Sequence, residues 1–274
     1  LKKYLLLFLF PLVSPAALAQ YRPWKYWQDT PGAWSVAIQA GATRYAGDMS
    51  EEKDVLRRPR LGAEASASAL YRFADRLSAR ADGRLYFLQG RQEGTRVWYN
   101  NLSFVCLNPE ISAGIQADLF PPDPRERPFN PYLYAGLGLT YLNTMTGYLG
   151  KLVSLPPLRT EGVSYSRIPP VLKLQIGYPV RVWLRYRLAL EFGYTVVFSD
   201  YLDDVSTVYP DFSALAPMGQ ALSDRRVSIG LPPNEPGNQR GNSIKRDGYF
   251  SLSLRLTRLM KTEADSRYKR VIGW

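Results

Sequence analysis

The sequence predicts an all-β protein, an eight-stranded antiparallel transmembrane β-barrel with long external loops and short periplasmic turns. Three observations point there. Eight segments alternate apolar and polar residues with the period of two that belongs to a strand. Each is close to the ~9–11 residues that a tilted strand needs to cross a bilayer. The connections alternate in length, the odd-numbered ones long and the even-numbered ones short, which is the asymmetry of outer-membrane barrels and places both ends of the barrel in the periplasm.

The chain opens LKKYLLLFLFPLVSPAALAQ, with Lys2 and Lys3, an apolar run to Val13, and small residues at Ala17 and Ala19. This is the pattern of a secretory signal peptide over residues 1–19, too short to span a bilayer as a helix. Residues 20–32 form an aromatic, polar periplasmic lead-in, 33–260 the barrel, and 261–274 a basic periplasmic tail. The rest of the chain holds no apolar run near the roughly 20 residues of a transmembrane helix.

The first strand places Trp34, Val36, Ile38 and Ala40 on one face and ends in the motif of Tyr45, Gly47 and Asp48. The second, with Leu61, Ala63, Ala65, Ala67, Ala69, Tyr71 and Phe73 in alternation, turns at Ala74–Arg76 into a third that carries Leu77, Ala79, Ala81, Leu85 and Phe87. A loop is expected from Gly90 to Asn108, then a fourth strand through Ile111, Ala113, Ile115, Ala117 and Leu119. The proline-rich Phe120–Pro131 reads as a turn, since the same patterning continues on both sides. The fifth strand is PYLYAGLGLTYLN. A long loop from Thr144 to Arg167 leads to the sixth, through Leu172, Leu174, Ile176 and Tyr178. A turn at Pro179–Leu184 leads to the seventh, Arg185–Phe198. The longest loop, Ser199–Asp247, precedes the eighth, through Phe250, Leu252, Leu254 and Leu256.

Periodicity does not say which face is outside, and a soluble ligand-binding barrel would show the same alternation with its faces reversed. Two features favour the membrane. Aromatic residues (Tyr71, Phe73, Phe87, Tyr178, Tyr186, Phe198, Phe250) gather towards the ends of the apolar faces, as interfacial girdles do. The other face collects both signs of charge: Glu64, Arg80, Asp82, Arg84, Glu110, Asp118, Lys173, Arg185, Arg187, Glu191 and Arg255. The interior of an eight-stranded barrel is just wide enough for side chains to fill it, so these charges are expected to pair across the lumen and plug it; a narrow conducting path is the alternative.

The composition narrows the function. Histidine is absent, which excludes the Ser-His-Asp triad, His-ligated zinc and His-dependent bases, and the chain reads as non-enzymatic with no cofactor and no small-molecule substrate expected. The single Cys106 forms no internal disulfide and reads as a small apolar strand-end residue. The net charge is +11, but Lys and Arg form no stripe, so no nucleic-acid partner is expected.

The seventh strand runs into LALEFGYTVVFSDYLDDVSTVYPD, where Asp200, Asp203, Asp204 and Asp211 place four carboxylates within twelve residues, beside Tyr201 and Tyr209. This external acidic loop is either a weak Ca²⁺ site, since Ca²⁺ takes oxygen ligands from flexible loops, or a lid folded over the mouth. Asp224, Arg225 and Arg226 are expected to pair with its carboxylates.

These features resemble the PorG-like outer-membrane proteins associated with type IX secretion and gliding machinery. The matching segments are YAGD at Tyr45–Asp48, NLSF at Asn101–Phe104, PYLYAGLG at Pro131–Gly138, LRTEG at Leu158–Gly162, the run from Glu191 to Asp211, LSDR at Leu222–Arg225 and RGN at Arg240–Asn242. The DYLDDVS segment is the most specific. The resemblance implies a small, non-enzymatic barrel surrounded by outer-membrane lipid that anchors a secretion complex, with a periplasmic ring lipoprotein and its partner as neighbours. A small pore or uptake channel is the alternative.

Overall fold

The computed structural model describes residues 29–50, 60–121, 129–183, 185–243 and 246–260. The expected signal peptide, most of the lead-in and the basic tail lie outside the described residues. Ten strands form one sheet: β1 Trp34–Ala46, β2 Gly62–Arg72, β3 Leu77–Arg91, β4 Ser103–Asp118, β5 Tyr132–Thr140, β6 Thr144–Tyr148, β7 Lys151–Ser154, β8 Pro170–Val182, β9 Tyr186–Val197 and β10 Gly248–Leu259. Eight of them build the wall in the order β3-β2-β1-β10-β9-β8-β5-β4, and β3 pairs with β4 to close the ring. All wall pairings are antiparallel. Closure leaves no sheet edge facing outward, as a lipid environment demands.

The faces sort as a membrane wall requires and a soluble barrel forbids. Ile38, Ile111 and Leu137 are about two-thirds exposed at 64%, 66% and 66%, whereas Arg80 and Glu191 are 2% and 0% exposed. The soluble-barrel alternative is thereby overturned, because its apolar face would have to point inward. Small residues keep the wall narrow. Gly177 of β8 lies against the Tyr132 ring, which a Cβ would strike, and so lets that tyrosine cross the lumen.

Three expectations about the wall need correction. Gly90 to Asn108 is not all loop: β3 runs to Arg91 and β4 begins at Ser103, so the loop is residues 92–102. The cause is a reversal of polarity near the external mouth. There the inward residues are Leu88, Phe104 and Cys106, while Gln89, Arg91 and Ser103 point outward, so the alternation changes phase and reads as irregular. Second, the loop from Thr144 to Arg167 contains the hairpin β6–β7, closed at Leu149 and Gly150, both with positive φ (48° and 76°), as a two-residue hairpin turn needs. Third, β8 continues through Pro179 to Val182, with a bulge between Pro179 and Arg181 that absorbs the missing proline N–H.

The turns β2–β3 and β8–β9 take four and three residues. The β4–β5 connection, residues 119–131, is longer than the 92–102 loop, so the two ends differ less regularly in length than the sequence suggested. Asn130 fastens it, accepting from the Phe120 N–H at 3.1 Å and donating to the Phe120 carbonyl at 2.7 Å.

Candidate functional site

The inward positions of β2, β3, β4, β8, β9 and β10 put their charged side chains into one lumen network. Arg80 lies at its centre: Nε is 2.8 Å from Asp82 Oδ1, and the two Nη atoms reach the Glu191 carboxylate at 2.9 and 3.3 Å. Lys173 Nζ holds the other oxygen of Asp82 at 2.8 Å, Tyr132 donates to Glu191 at 2.7 Å, and Arg255 lies 3.7 Å from it. Towards the mouth Arg84 pairs with Glu64 at 3.2 Å and lies 3.7 Å from Glu110, and Tyr249 donates to Glu110 at 2.6 Å. Gln39 joins the halves, donating to Glu64 at 3.1 Å and accepting from Arg255 at 3.3 Å. At the periplasmic end Arg72 pairs with Asp118, and the Arg187 guanidinium lies 5.0 Å from the centre of the Tyr132 ring. Arg185 is half-buried in the β8–β9 turn.

Above this network the lumen becomes apolar. Tyr86, Leu88, Phe104, Cys106, Val171, Val197 and Tyr249 from the wall pack with Leu142 from the β5–β6 connection and with Leu202 and Val205 from the β9–β10 loop. Cys106 is therefore buried in a plug near the start of β4. Leu202 and Val205 flank Asp203 and Asp204, so the acidic loop enters the mouth with its apolar residues pointing down.

What holds it there is a set of carboxylates committed one by one to protein donors. Tyr45 Oη, at the external end of β1, lies 2.6 Å from Asp203 Oδ2 and 2.7 Å from Asp247 Oδ1. The remaining oxygens take backbone N–H groups, Asp203 Oδ1 from Val205 at 2.9 Å and Asp247 Oδ2 from Leu202 at 3.1 Å. Gly47 is required beside this clip, because a Cβ there would run into both the Tyr45 hydroxyl and the Asp247 carboxylate. Asp48 accepts from the Asn242 N–H at 2.5 Å and draws in the distal part of the loop.

Asp204 is held separately. It accepts from Thr160 at 2.5 Å and Tyr165 at 2.7 Å, and its carbonyl accepts from Arg240 at 2.5 Å. Arg240 also reaches Glu161 at 2.8 Å. Glu161 in turn accepts from the N–H groups of Ser206 and Thr207 at 2.8 and 3.0 Å, and from the Thr207 hydroxyl at 2.7 Å. Tyr165 stacks on Tyr201 at 4.2 Å. Burial pushes the carboxyls of Asp203, Asp204 and Asp247 above their ordinary range, and the neighbouring carboxylates reinforce this. Asp200, half-buried near Asp48 and Glu161, is pushed up to about 7.

The structure brings Tyr45, Gly47, Asp48, Asp200, Tyr201, Asp203 and Asp204 together and leaves out the others. Asp211 is exposed and caps a short turn through Ser213, and this bond holds its carboxyl below the ordinary range. Asp224 accepts from the N–H groups of Arg226 and Asn234 at 3.0 and 2.5 Å, while Arg225 reaches the hydroxyls of Ser103 and Thr146. The expected pairing of Asp224, Arg225 and Arg226 with the loop carboxylates is thus replaced by Arg240 with Asp204 and Glu161. The Ca²⁺ expectation meets the same geometry: among the described residues no three acidic, Cys or His side chains converge as a metal site, because tyrosine, threonine, arginine and backbone donors separate them.

Arg240 and Glu161 are both buried, so removing one strands the other's charge. Arg240→Ala is expected to release the loop while leaving the barrel closed. Limited proteolysis should then cut within residues 200–243, with the heat-dependent gel mobility of a folded barrel retained.

No protein-family model matches the chain, and no curated protein matches it. Among solved structures, Neisserial surface protein A aligns with 84% of this chain and 99% of its own at 15% identity and a TM-score of 0.43. Ail, the attachment invasion locus protein of Yersinia pestis, aligns over 84% and 100% at 9% identity and a TM-score of 0.43. The outer membrane protein OprG of Pseudomonas aeruginosa aligns over 85% and 99% at 11% identity and a TM-score of 0.41. The assignment of this chain rests on its own geometry: a closed antiparallel wall, apolar outside and charged inside, is that of a membrane-spanning β-barrel of the cell outer membrane.

Proposed function

We propose that the protein is a non-enzymatic outer-membrane barrel that serves as a structural, anchoring component of a type IX protein secretion complex. One observation carries this reading. The short segments that resemble the PorG-like proteins are scattered from residue 45 to residue 242, yet Tyr45 and Asp48, Glu161, Asp203 and Asp204, Ser223, and Arg240 to Asn242 interlock in the cap that closes the mouth. A resemblance confined to wall strands would reflect little more than β-barrel patterning. One that also takes in a specific, buried cap supports kinship in the feature that distinguishes one barrel from another. A filled lumen fits a scaffold better than a conduit.

In this reading the partner surface is the opposite, periplasmic end, around the turn at 73–76 and the strand ends at Asp118, Tyr132, Val182 and Tyr186, and its partners are a ring lipoprotein and the protein bound to it. Affinity purification of the tagged protein from cross-linked membranes tests this. Recovery of periplasmic ring components is expected, and recovery of the barrel alone under gentle extraction would reject the assignment.

A further inference from the structure

We infer that the outer wall at the external end of β3 and β4 carries a binding site for the phosphate of an anionic outer-leaflet lipid, a site on the outer face of the barrel to which the cap loop lends Arg225 and which is independent of the secretion assignment. A groove of about 550 Å³ lies there, lined among others by Arg60, Gln89, Arg91, Ser103, Leu152 and Arg225. The remaining charged residue of its lining is Glu93.

Arg225 is the informative member. It comes from the distal part of the cap loop and is half-buried, and Nη1 lies 3.2 Å from both the Ser103 and the Thr146 hydroxyls. Among the described residues no carboxylate pairs with it, and the charge that bears on it most is the like charge of Arg91. Burial and that neighbour both push its pKa down. Arg91 forms a solvent-exposed pair with Glu93 at 3.0 Å, which neutralises little, and Arg60 donates to the backbone carbonyls of Arg91 and Glu93. Guanidinium groups gathered this way are the arrangement that recognises phosphate, by short, charge-assisted hydrogen bonds.

The wall beneath the groove selects a lipid over a free anion. Reading the outward pairs of β3 and β4 down from the mouth gives Arg91 with Ser103, Gln89 with Val105, Phe87 with Leu107, Leu85 with Pro109 and Gly83 with Ile111. Cationic and polar groups at the top thus pass within two pairs into an apolar surface, and Leu85, Leu107 and Ile111 are exposed. An amphiphile with its phosphate among the arginines would lay its acyl chains along that surface.

The test uses the full-length protein in detergent micelles and, as probes, bisphosphorylated lipid A, the same lipid with its phosphates removed, and inorganic phosphate, with bound lipid read by native mass spectrometry. Wild type is expected to retain the phosphorylated lipid and to lose it on dephosphorylation. The double variant Arg91→Gln/Arg225→Gln should bind it at least roughly tenfold more weakly, the scale of a lost charge-assisted hydrogen bond. Arg181→Gln, at the opposite rim, should bind as wild type does. Heat-dependent gel mobility confirms that each variant is folded, and Arg225→Lys, which keeps the charge without the planar fork, should bind between wild type and the double variant. Unchanged retention in the folded double variant, equal retention of the dephosphorylated lipid, or displacement of the lipid by inorganic phosphate at similar concentration would each overturn the proposal.

Discussion

Arg80→Met destabilises the barrel by about 3–5 kcal/mol, the cost of removing one partner from a buried ionic cluster. Arg80 is fully enclosed and is, among the described residues, the only side chain that bonds both Asp82 and Glu191, through three contacts between 2.8 and 3.3 Å. Methionine fills similar volume but leaves Asp82 with Lys173 alone and Glu191 with Tyr132 and the more distant Arg255. The remaining charges lie in a lumen already filled, so water cannot replace the guanidinium without rearrangement. Denaturant unfolding in lipid vesicles, followed by tryptophan fluorescence, measures the loss. A change below about 1 kcal/mol would mean that the network is solvated and its pairs weak.

The cap is expected to weaken as pH rises, and Asp247→Asn to reduce that dependence. The reason is a proton count. Tyr45 has one hydroxyl proton, yet its oxygen lies within 2.7 Å of one oxygen from each of Asp203 and Asp247. It donates to one; the other contact is a hydrogen bond only if that carboxyl carries a proton. Each carboxyl uses its second oxygen to accept a backbone N–H, so the shared proton lies on Asp203 Oδ2 or Asp247 Oδ1. Among the described residues the other ionisable groups bearing on the pair are Asp48, Asp200, Tyr165, Tyr194 and, across the plug, the Cys106 thiol; none is cationic.

Both carboxyls are raised above their unfolded values, Asp203 by burial and the Asp247 carboxylate, and Asp247 by burial and the carboxylates of Asp200 and Asp48. For a raised acid, the stabilisation is complete below the unfolded pKa, near 4, and is lost as pH rises through the folded value. Asp200, at about 7, acts in the same direction. Protection from hydrogen exchange at residues 200–206, corrected for the intrinsic rise of the exchange rate with pH, should therefore fall as pH rises from near 4 through about 7, the value to which Asp200 is pushed. Asn at position 247 supplies one acceptor and one donor, as the protonated acid does, so Asp247→Asn should flatten the profile. The double variant Asp203→Asn/Asp247→Asn leaves the Tyr45 proton without an acceptor and should loosen the cap at every pH, by about 1–3 kcal/mol. A cap that tightens with rising pH, or an Asp247→Asn profile as steep as wild type, would contradict this account.

How much of this was legible in the sequence follows from the range of the interactions. The wall was readable where a strand faces lipid on one side and charge on the other, as from Ala63 to Phe87, because adjacent residues then differ sharply in polarity. It became unreadable where the plug makes the inward side apolar, at Leu88, Phe104 and Cys106, and in β6–β7, whose strands of five and four residues are too short to establish a period. The acidic loop stood out by composition, but its contacts join residues 158 and 202 positions apart in the case of Tyr45, and no local pattern encodes such a pairing. Arg240 and Glu161 were visible only as members of short motifs, while Arg225, nearer in sequence to the acidic cluster, was the wrong partner. Proximity along the chain says little about which strand ends meet at a barrel mouth.

Side chains fill the lumen and a clipped loop closes its mouth, and the proposed scaffold role requires that the barrel not conduct. Single-channel recording of the purified protein in planar bilayers tests it most directly. The filled and capped barrel predicts no steady conductance at neutral pH; a stable, ohmic conductance from the wild-type protein would contradict it.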